Sequence, residues 1–500
     1  MLHPFSPPLN LSSGYGILEH MFDHWPGEYA ELPDTPRSRE LIGRLTNVSR
    51  LENVAAAQRL RIIADVFEMR RESLGEREDW AVDTWKAVGA EVAAALRLSL
   101  SKANSYMNYA LAMLRLPAVA AVFEAGDIDV RLYQTIVYRT HLVTDTDAMA
   151  EIDAELAAHV GRWPSMTRGK LATEIDDVVV QHDPDAVRRI HDRGTDRDVT
   201  FWESSDGYID LTARLSAANG AALKKRIDAM AKSVCETDPR TVGQRRADSL
   251  GALGLGAERL TCECGESDCP ATESPTGSVV IHVVADQATL DGTANKPAYV
   301  LDTGELISPQ LLAELKAKAR ERPVVIPCDE PPCPSYHPSR ALADFVRCRD
   351  LTCRAPGCDK PATHCDIDHT VPWPYGGTDA SNLKCLCRDH HIMKTFWGWK
   401  DQQLPDGTVI WTLPDGETYV TTPGSVVLFP ALMTPTGPAA TPPPAEHRCG
   451  DRSVMMPRRR TTRAQNRAHH IAAERARNRA QRVPAVGPGP PGSDDDAPPF

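Results

Sequence analysis

From about residue 38 to 180, apolar side chains recur at spacings of three and four. Leu96, Leu100, Ala103, Met107, Leu111 and Leu114 fall on one stripe of a predicted helix, and Ile152, Leu156 and Val160, then Leu171, Ile175 and Val178, repeat the pattern. Stripes of this kind bury against one another, so a helical bundle is expected. Near residue 198 the period shortens. RDVTFWESSDGYIDLTARL is two alternating runs around Asp206-Gly207, which predicts a hairpin. Ala221 to Lys232 reads as helix and GSVVIHVVADQ at 277–287 as strand, making 38–335 a mainly α domain with an α+β extension. No internal repeat suggests a solenoid. DGTVIWTLPDGETYVTT, with a turn at Asp415-Gly416, predicts a short β extension over 401–430. The flanks break the pattern: 1–37 reads as a flexible leader, and 431–500 as a disordered tail, first Pro-rich and then Arg-rich.

Five hundred residues imply two or three domains. At 42% hydrophobic and 25% charged residues, most of the chain can fold. A formal net charge of -12 excludes a surface coated all over in nucleic acid, so any such contact is local. The tail supplies one candidate: Arg458, Arg459, Arg460 and six further arginines stand against a single acid, Glu474, a stretch able to become a helix on a polyanion. The thirteen cysteines include close pairs with neighbouring histidines, which suits zinc in a reducing compartment better than a disulfide lattice. The first residues carry no basic start followed by an apolar run, and no window reaches about 18 continuous apolar residues. A cytoplasmic protein without membrane contact is expected.

The densest chemistry lies in CRAPGCDKPATHCDIDHTVPWPYGGTDASNLKCLCRDHHIMK, residues 353–394. Cys353 and Cys358 form one metal-ligand pair, with Pro356-Gly357 supplying the tight turn, and Cys387 and His390 form the other. Four such ligands leave no open coordination position, so this zinc would be structural. Between the pairs, His364 to His369 reads as a strand entering a loop at Pro372. Asp368 offers a carboxylate and His391 an imidazole, together able to hold Mg2+ or another divalent cation with positions left for water and a phosphate oxygen. His369, beside that ion, is placed to act as general base. Asn382 is suited to pin the loop backbone.

This constellation resembles the HNH endonuclease family. The resemblance runs through Asp368-His369, Pro372, Gly376-Gly377, Asn382-Leu383, and the closing Cys387, His390, His391 and Lys394. It implies a small zinc-stabilised ββα-metal module at 340–400 that hydrolyses phosphodiesters in DNA. His369 is then the base, Asp368 and His391 the cation ligands, Asn382 a structural support, and Lys394 a phosphate contact. Two departures stand out: His390 occupies a position where many members have cysteine, and the first pair is spaced by four residues rather than two. The wider chain, roughly 40–430, resembles a bacterial repeat family in which a helical domain of unknown function precedes an HNH module.

A zinc-stabilised nucleic-acid-binding module without cleavage is the principal rival, and binding alone needs none of Asp368, His369 and His391. A protein-interaction scaffold carrying the module as a passenger is a third reading. RNA stands as an alternative target, and nothing in the sequence sets an oligomeric state. Cys262, Cys264 and Cys269, together with Cys328 and Cys333, are candidates for a second metal site. Trp373, Tyr375, Trp397 and Trp399 flank the motif, and packing around a small core is favoured over stacking on bases.

Overall fold

The computed structural model describes residues 35–164, 166–187, 197–203, 208–271, 281–316, 319–328, 331–440 and 455–482. The N-terminal half is mainly helical. Helices α1 (Pro36–Leu74), α2 (Thr84–Leu96), α3 (Leu100–Arg115), α4 (Pro117–Glu124), α5 (Val130–Arg139), α6 (Thr146–Val160) and α7 (Arg168–His182) share one core built on Leu60, Met107, Phe123, Tyr133, Ile152 and Ile175. Polar N-caps start most of them: the side chains of Thr35, Asp83, Ser99, Asp129, Asp145 and Thr167 each accept a backbone N–H of the first turn.

The stripe predicted through Leu96–Leu114 is interrupted. Arg97 adopts the left-handed conformation (φ 54°, ψ 47°) and Ser99 caps a new helix. The buried face of α3 is Ala103, Met107, Ala110, Ala112 and Met113, while Leu96 and Leu114 face solvent. The stretch is apolar on several sides, so more than one stripe fits its spacing. The other two stripes bury as expected, except that Leu171 is only half-buried.

Strands β1 (Asp198–Glu203) and β2 (Ile209–Arg214) pair antiparallel, Asp198 opposite Arg214, as the alternation predicts; the turn at Asp206-Gly207 lies outside the described residues. Helices α8 (Ala217–Ala231) and α9 (Val242–Gly254) follow. The strand expected at 277–287 is described only as β3 (Val283–Val284), leading through α10 (Gln287–Leu290) to β4 (Ala298–Val300), β5 (Leu306–Ile307) and α11 (Pro309–Lys316).

Helix α12 (Arg340–Asp350), β6 (Cys365–His369), β7 (Leu383–Cys387) and α13 (Arg388–Phe396) come next, then a meander of β8 (Lys400–Gln403), β9 (Val409–Thr412) and β10 (Thr418–Thr421). These elements share a second core with α2. Because α2 is alanine-rich and apolar nearly all round, Val88 and Val92 face the bundle while Ala87, Ala90 and Ala94 face the module. It is a common wall between the two.

The tail differs from expectation. Residues 1–34, 441–454 and 483–500 lie outside the described residues, but Arg463–Arg482 forms helix α14. It docks on the bundle by charge more than by apolar area. Arg463 pairs with Asp83, Arg475 with Asp183 and Arg479 with Asp185, while Asn478 donates to the carbonyls of Asp185 and Val187. Ile471 is its buried apolar residue. Among the described residues no single helix is long and apolar enough to cross a membrane.

Candidate metal centre and active site

Strands β6 and β7 pair antiparallel, placing Cys365 opposite Cys387 and Asp368 opposite Lys384, and α13 starts at once with Cys387 as its N-cap. Cys387 and His390 therefore lie one helical turn apart on a single face. The other pair sits on a turn at Gly357 (φ 71°), where a Cβ would stand 2.6 Å from the Leu98 carbonyl oxygen, so the knuckle lies flush against the end of α2. The ligand atoms of Cys353, Cys358, Cys387 and His390 all lie within 4.8 Å of one another. His390 Nδ1 is 3.2 Å from Cys387 Sγ and 3.6 Å from Cys353 Sγ. Hydrogen bonds from Cys353 and Cys358, with a further contribution from His390, hold the Cys387 thiol far below its usual range, whereas burial pushes Cys353 up. Three sulfurs and an imidazole in this arrangement can hold a metal ion such as zinc. Cys348, Cys365 and Cys385 lie outside the cluster.

On β6, Asp366 and Asp368 point to one face by the two-residue period, and His391 and Lys394 reach that face from α13. His391 Nδ1 lies 2.9 Å from Asp366 Oδ2, which orients the ring so that Nε2 stands 3.4 Å from Asp368 Oδ1. The other oxygen of Asp368 accepts from Lys384 Nζ at 2.9 Å and Lys394 Nζ at 2.6 Å. Both lysines also reach Asp401 on β8. Burial opposes ionisation of Asp368, but Lys384, then Lys394 and His391, hold its carboxyl well below the usual range. Lys394 is thus tied into an internal ion cluster through Asp368 and Asp401. Burial and the Asp368 and Lys384 charges decide its state, and its ammonium is pushed down.

His369 is buried, its Nε2 2.9 Å from Thr378 Oγ1 and its ring stacked on Tyr336 at 5.2 Å. Burial pulls its pKa below the ordinary histidine value, and the nearby Lys394 and Lys384 charges act in the same direction against Asp368. The ring is therefore neutral at pH 7. Asn382 is fully buried and holds the intervening loop, accepting from Val371 N at 2.8 Å and donating to the carbonyls of Val371 and Gly377 at 3.0 and 2.8 Å. Gly376 leaves room for that amide: a Cβ there would stand 2.5 Å from Asn382 Nδ2.

Of the aromatic residues, Trp397 and Trp399 pack inward, with Trp397 Nε1 donating to Val82 O. Trp373 and Tyr375 are exposed, and Trp373 meets edge-on the Tyr336 ring that stacks on His369. In the tail, Arg459 pairs with Asp83 and Arg458 with Asp79, while Arg460 is exposed. Arg459 is therefore neutralised by the bundle. Cys333 pairs its backbone with Thr378 and Cys328 is exposed, so neither joins Cys262, Cys264 and Cys269. Those three gather instead with Cys235. Sequence reasoning missed Asp366, Asp401, Tyr336 and Cys235. Asp366 was legible as the partner of Asp368 two residues away on one strand face.

A family model described as "Domain of unknown function (DUF222)" matches residues 48–350, ending just before the zinc-type cluster. The chain is 43% identical to the Mycobacterium tuberculosis protein "Uncharacterized protein Rv2100", over 95% of this chain and 94% of the relative. It is 44% identical to "Uncharacterized protein Rv3776" of the same organism, over 91% and 93%. No solved structure matches. By the family model and these near full-length relatives, the chain belongs to the DUF222 family.

Proposed function

We propose that this protein is a metal-dependent endonuclease of the HNH type that hydrolyses phosphodiester bonds in DNA. The observation that carries the reading is the convergence of Asp368 and His391, 3.4 Å apart, with His369 the next residue along the strand. An oxygen and an imidazole nitrogen at that separation suit two ligands each about 2.1 Å from one cation. Asp368 and His391 would hold Mg2+ or another divalent ion, which when bound stabilises negative charge on the phosphate and the leaving oxygen. In the tautomer that donates Nε2–H to Thr378 Oγ1, His369 keeps a lone pair on Nδ1 to take a proton from water. Asn382 fixes the loop after β6, and Asp366 orients His391. The antiparallel pair β6–β7, the helix α13 that follows it and the cysteine-histidine cluster support this reading.

Binding without cleavage is the second reading. Tyr336 covers the His369 ring and two ammonium groups occupy one oxygen of Asp368, so the site is closed around its own side chains. Supercoiled plasmid separates the two. With Mg2+ or Mn2+ present, the wild-type protein nicks it and His391→Ala does not. Retention of DNA in a gel shift by folded, zinc-loaded protein that leaves every plasmid intact would select the binding module.

A further inference from the structure

The loop after α9 has little to hold it. Residues 257–271 contain no helix or strand, and the apolar cluster at their centre consists of Cys262, Cys269 and Ala271 with Val234, Cys235 and Cys264 around them. No aliphatic residue larger than valine takes part. Small units of this kind depend on a staple for their fold. The sulfurs of Cys235, Cys262, Cys264 and Cys269 all lie within 4.8 Å of one another. Cys235 and Cys262 are 3.3 Å apart at sulfur, well beyond the roughly 2.05 Å of a disulfide and close to the ~3.8 Å edge of a tetrahedron with zinc–sulfur bonds of about 2.3 Å.

The backbone is shaped to bring them there. Cys235 follows the end of α8 by four residues. Gly265 (φ 76°) turns the chain directly after Cys264, and Cys269 N donates to Glu266 O, returning the chain to the cluster. Asp238 accepts from Glu263 N at 3.0 Å, and Arg240 bonds both Asp238 and the Thr261 carbonyl. The ligand loop is thereby tied to the α8–α9 connection.

We propose that Cys235, Cys262, Cys264 and Cys269 form a second, closed, structural zinc site that staples the 257–271 loop to the α8–α9 pair. Four thiolates fill the tetrahedron, so the ion takes no substrate. The site lies within the stretch matched by the family model, and the inference stands independently of the nuclease reading.

Full-length protein purified under reducing conditions without chelator is expected to carry about two zinc ions per chain. Cys264→Ser and Cys358→Ser each lower the content to about one, and the double variant to none. Cobalt loaded into Cys358→Ser gives the absorption of a tetrathiolate centre, and cobalt loaded into Cys264→Ser that of a three-sulfur, one-nitrogen centre. Should a serine variant fail to fold, alkylation of wild type decides: the four cysteines label only after chelator is added. The proposal is overturned by one zinc per chain with Cys264 alkylated freely before chelation. A wild-type mass lighter by the hydrogens of two disulfides, with these peptides cross-linked, overturns it equally.

Discussion

Lys384 is the most buried charge at the candidate site, and its removal gives the sharpest energetic test. Its ammonium lies 2.9 Å from Asp368 Oδ2, 2.5 Å from Asp401 Oδ2 and 2.9 Å from Thr370 Oγ1, with no exposed side-chain surface. Lys384→Met keeps the stem and deletes the charge, leaving two buried carboxylates to share Lys394. Removing one partner of a buried ion pair costs about 3–5 kcal/mol. The pH dependence follows by linkage. In the wild type, the folded-state value of Asp368 lies below its unfolded value, so its contribution is present above the unfolded value and lost as pH falls through the folded one. In the variant, burial remains while the leading counter-charge is gone, so the carboxyl rises above its unfolded value. The penalty is then largest near neutrality and shrinks toward the unfolded carboxylate range near pH ~4. Urea unfolding of zinc-saturated protein, followed by tryptophan fluorescence from pH 5 to 8, measures both. Adding Asp401→Asn to Lys384→Met restores charge balance and should recover about 1 kcal/mol or more. A loss under about 1 kcal/mol, or one flat across that range, refutes the cluster as described.

Other consequences follow from single contacts. Gly376→Ala drives a methyl into Asn382 Nδ2 and the Val371 carbonyl, so the loop shifts and nicking falls at least tenfold with little change in zinc content; unchanged nicking would detach the Asn382 loop from the site. Asp83→Asn retains an N-cap for α2 but removes the charge facing Arg459 and Arg463, so amide exchange over 459–482 accelerates; unaltered protection would mean the helix is held otherwise. Because burial lowers the His369 pKa, the acid limb of kcat/KM attributable to this base should be centred below pH 6.5, with activity lost as pH falls through it and flat above; a limb centred above 7 argues for another base.

How much of this was legible in the sequence depended on distance along the chain. Cys353, Cys358, Cys387 and His390 are readable because ligands on knuckles keep short gaps, and the structure gathers all four. Cys235 is silent because 27 residues separate it from Cys262 and only the packing of α8 on α9 brings it back. Asp401 reads as a surface acid in a polar strand, yet the edge of β8 turns it against Lys384 and Lys394. The helix break at Arg97 escapes detection because arginine carries no turn signal, and the left-handed residue there follows from where α2 must end against Gly357. Helix α14 lacks an apolar stripe, so periodicity reads it as tail. Its order comes from Asp83, Asp183 and Asp185, whose complementarity to the arginines is a property of the folded bundle.

The central claim is that His369 takes the proton from an attacking water beside Asp368 and His391. Single-turnover nicking of supercoiled plasmid in Mn2+ by wild type and His369→Ala, with and without added imidazole, tests it most directly. The account predicts a loss of about 10²–10⁴-fold, partly restored by imidazole, with zinc content and unfolding unchanged. Nicking by the alanine variant at the wild-type rate would contradict it.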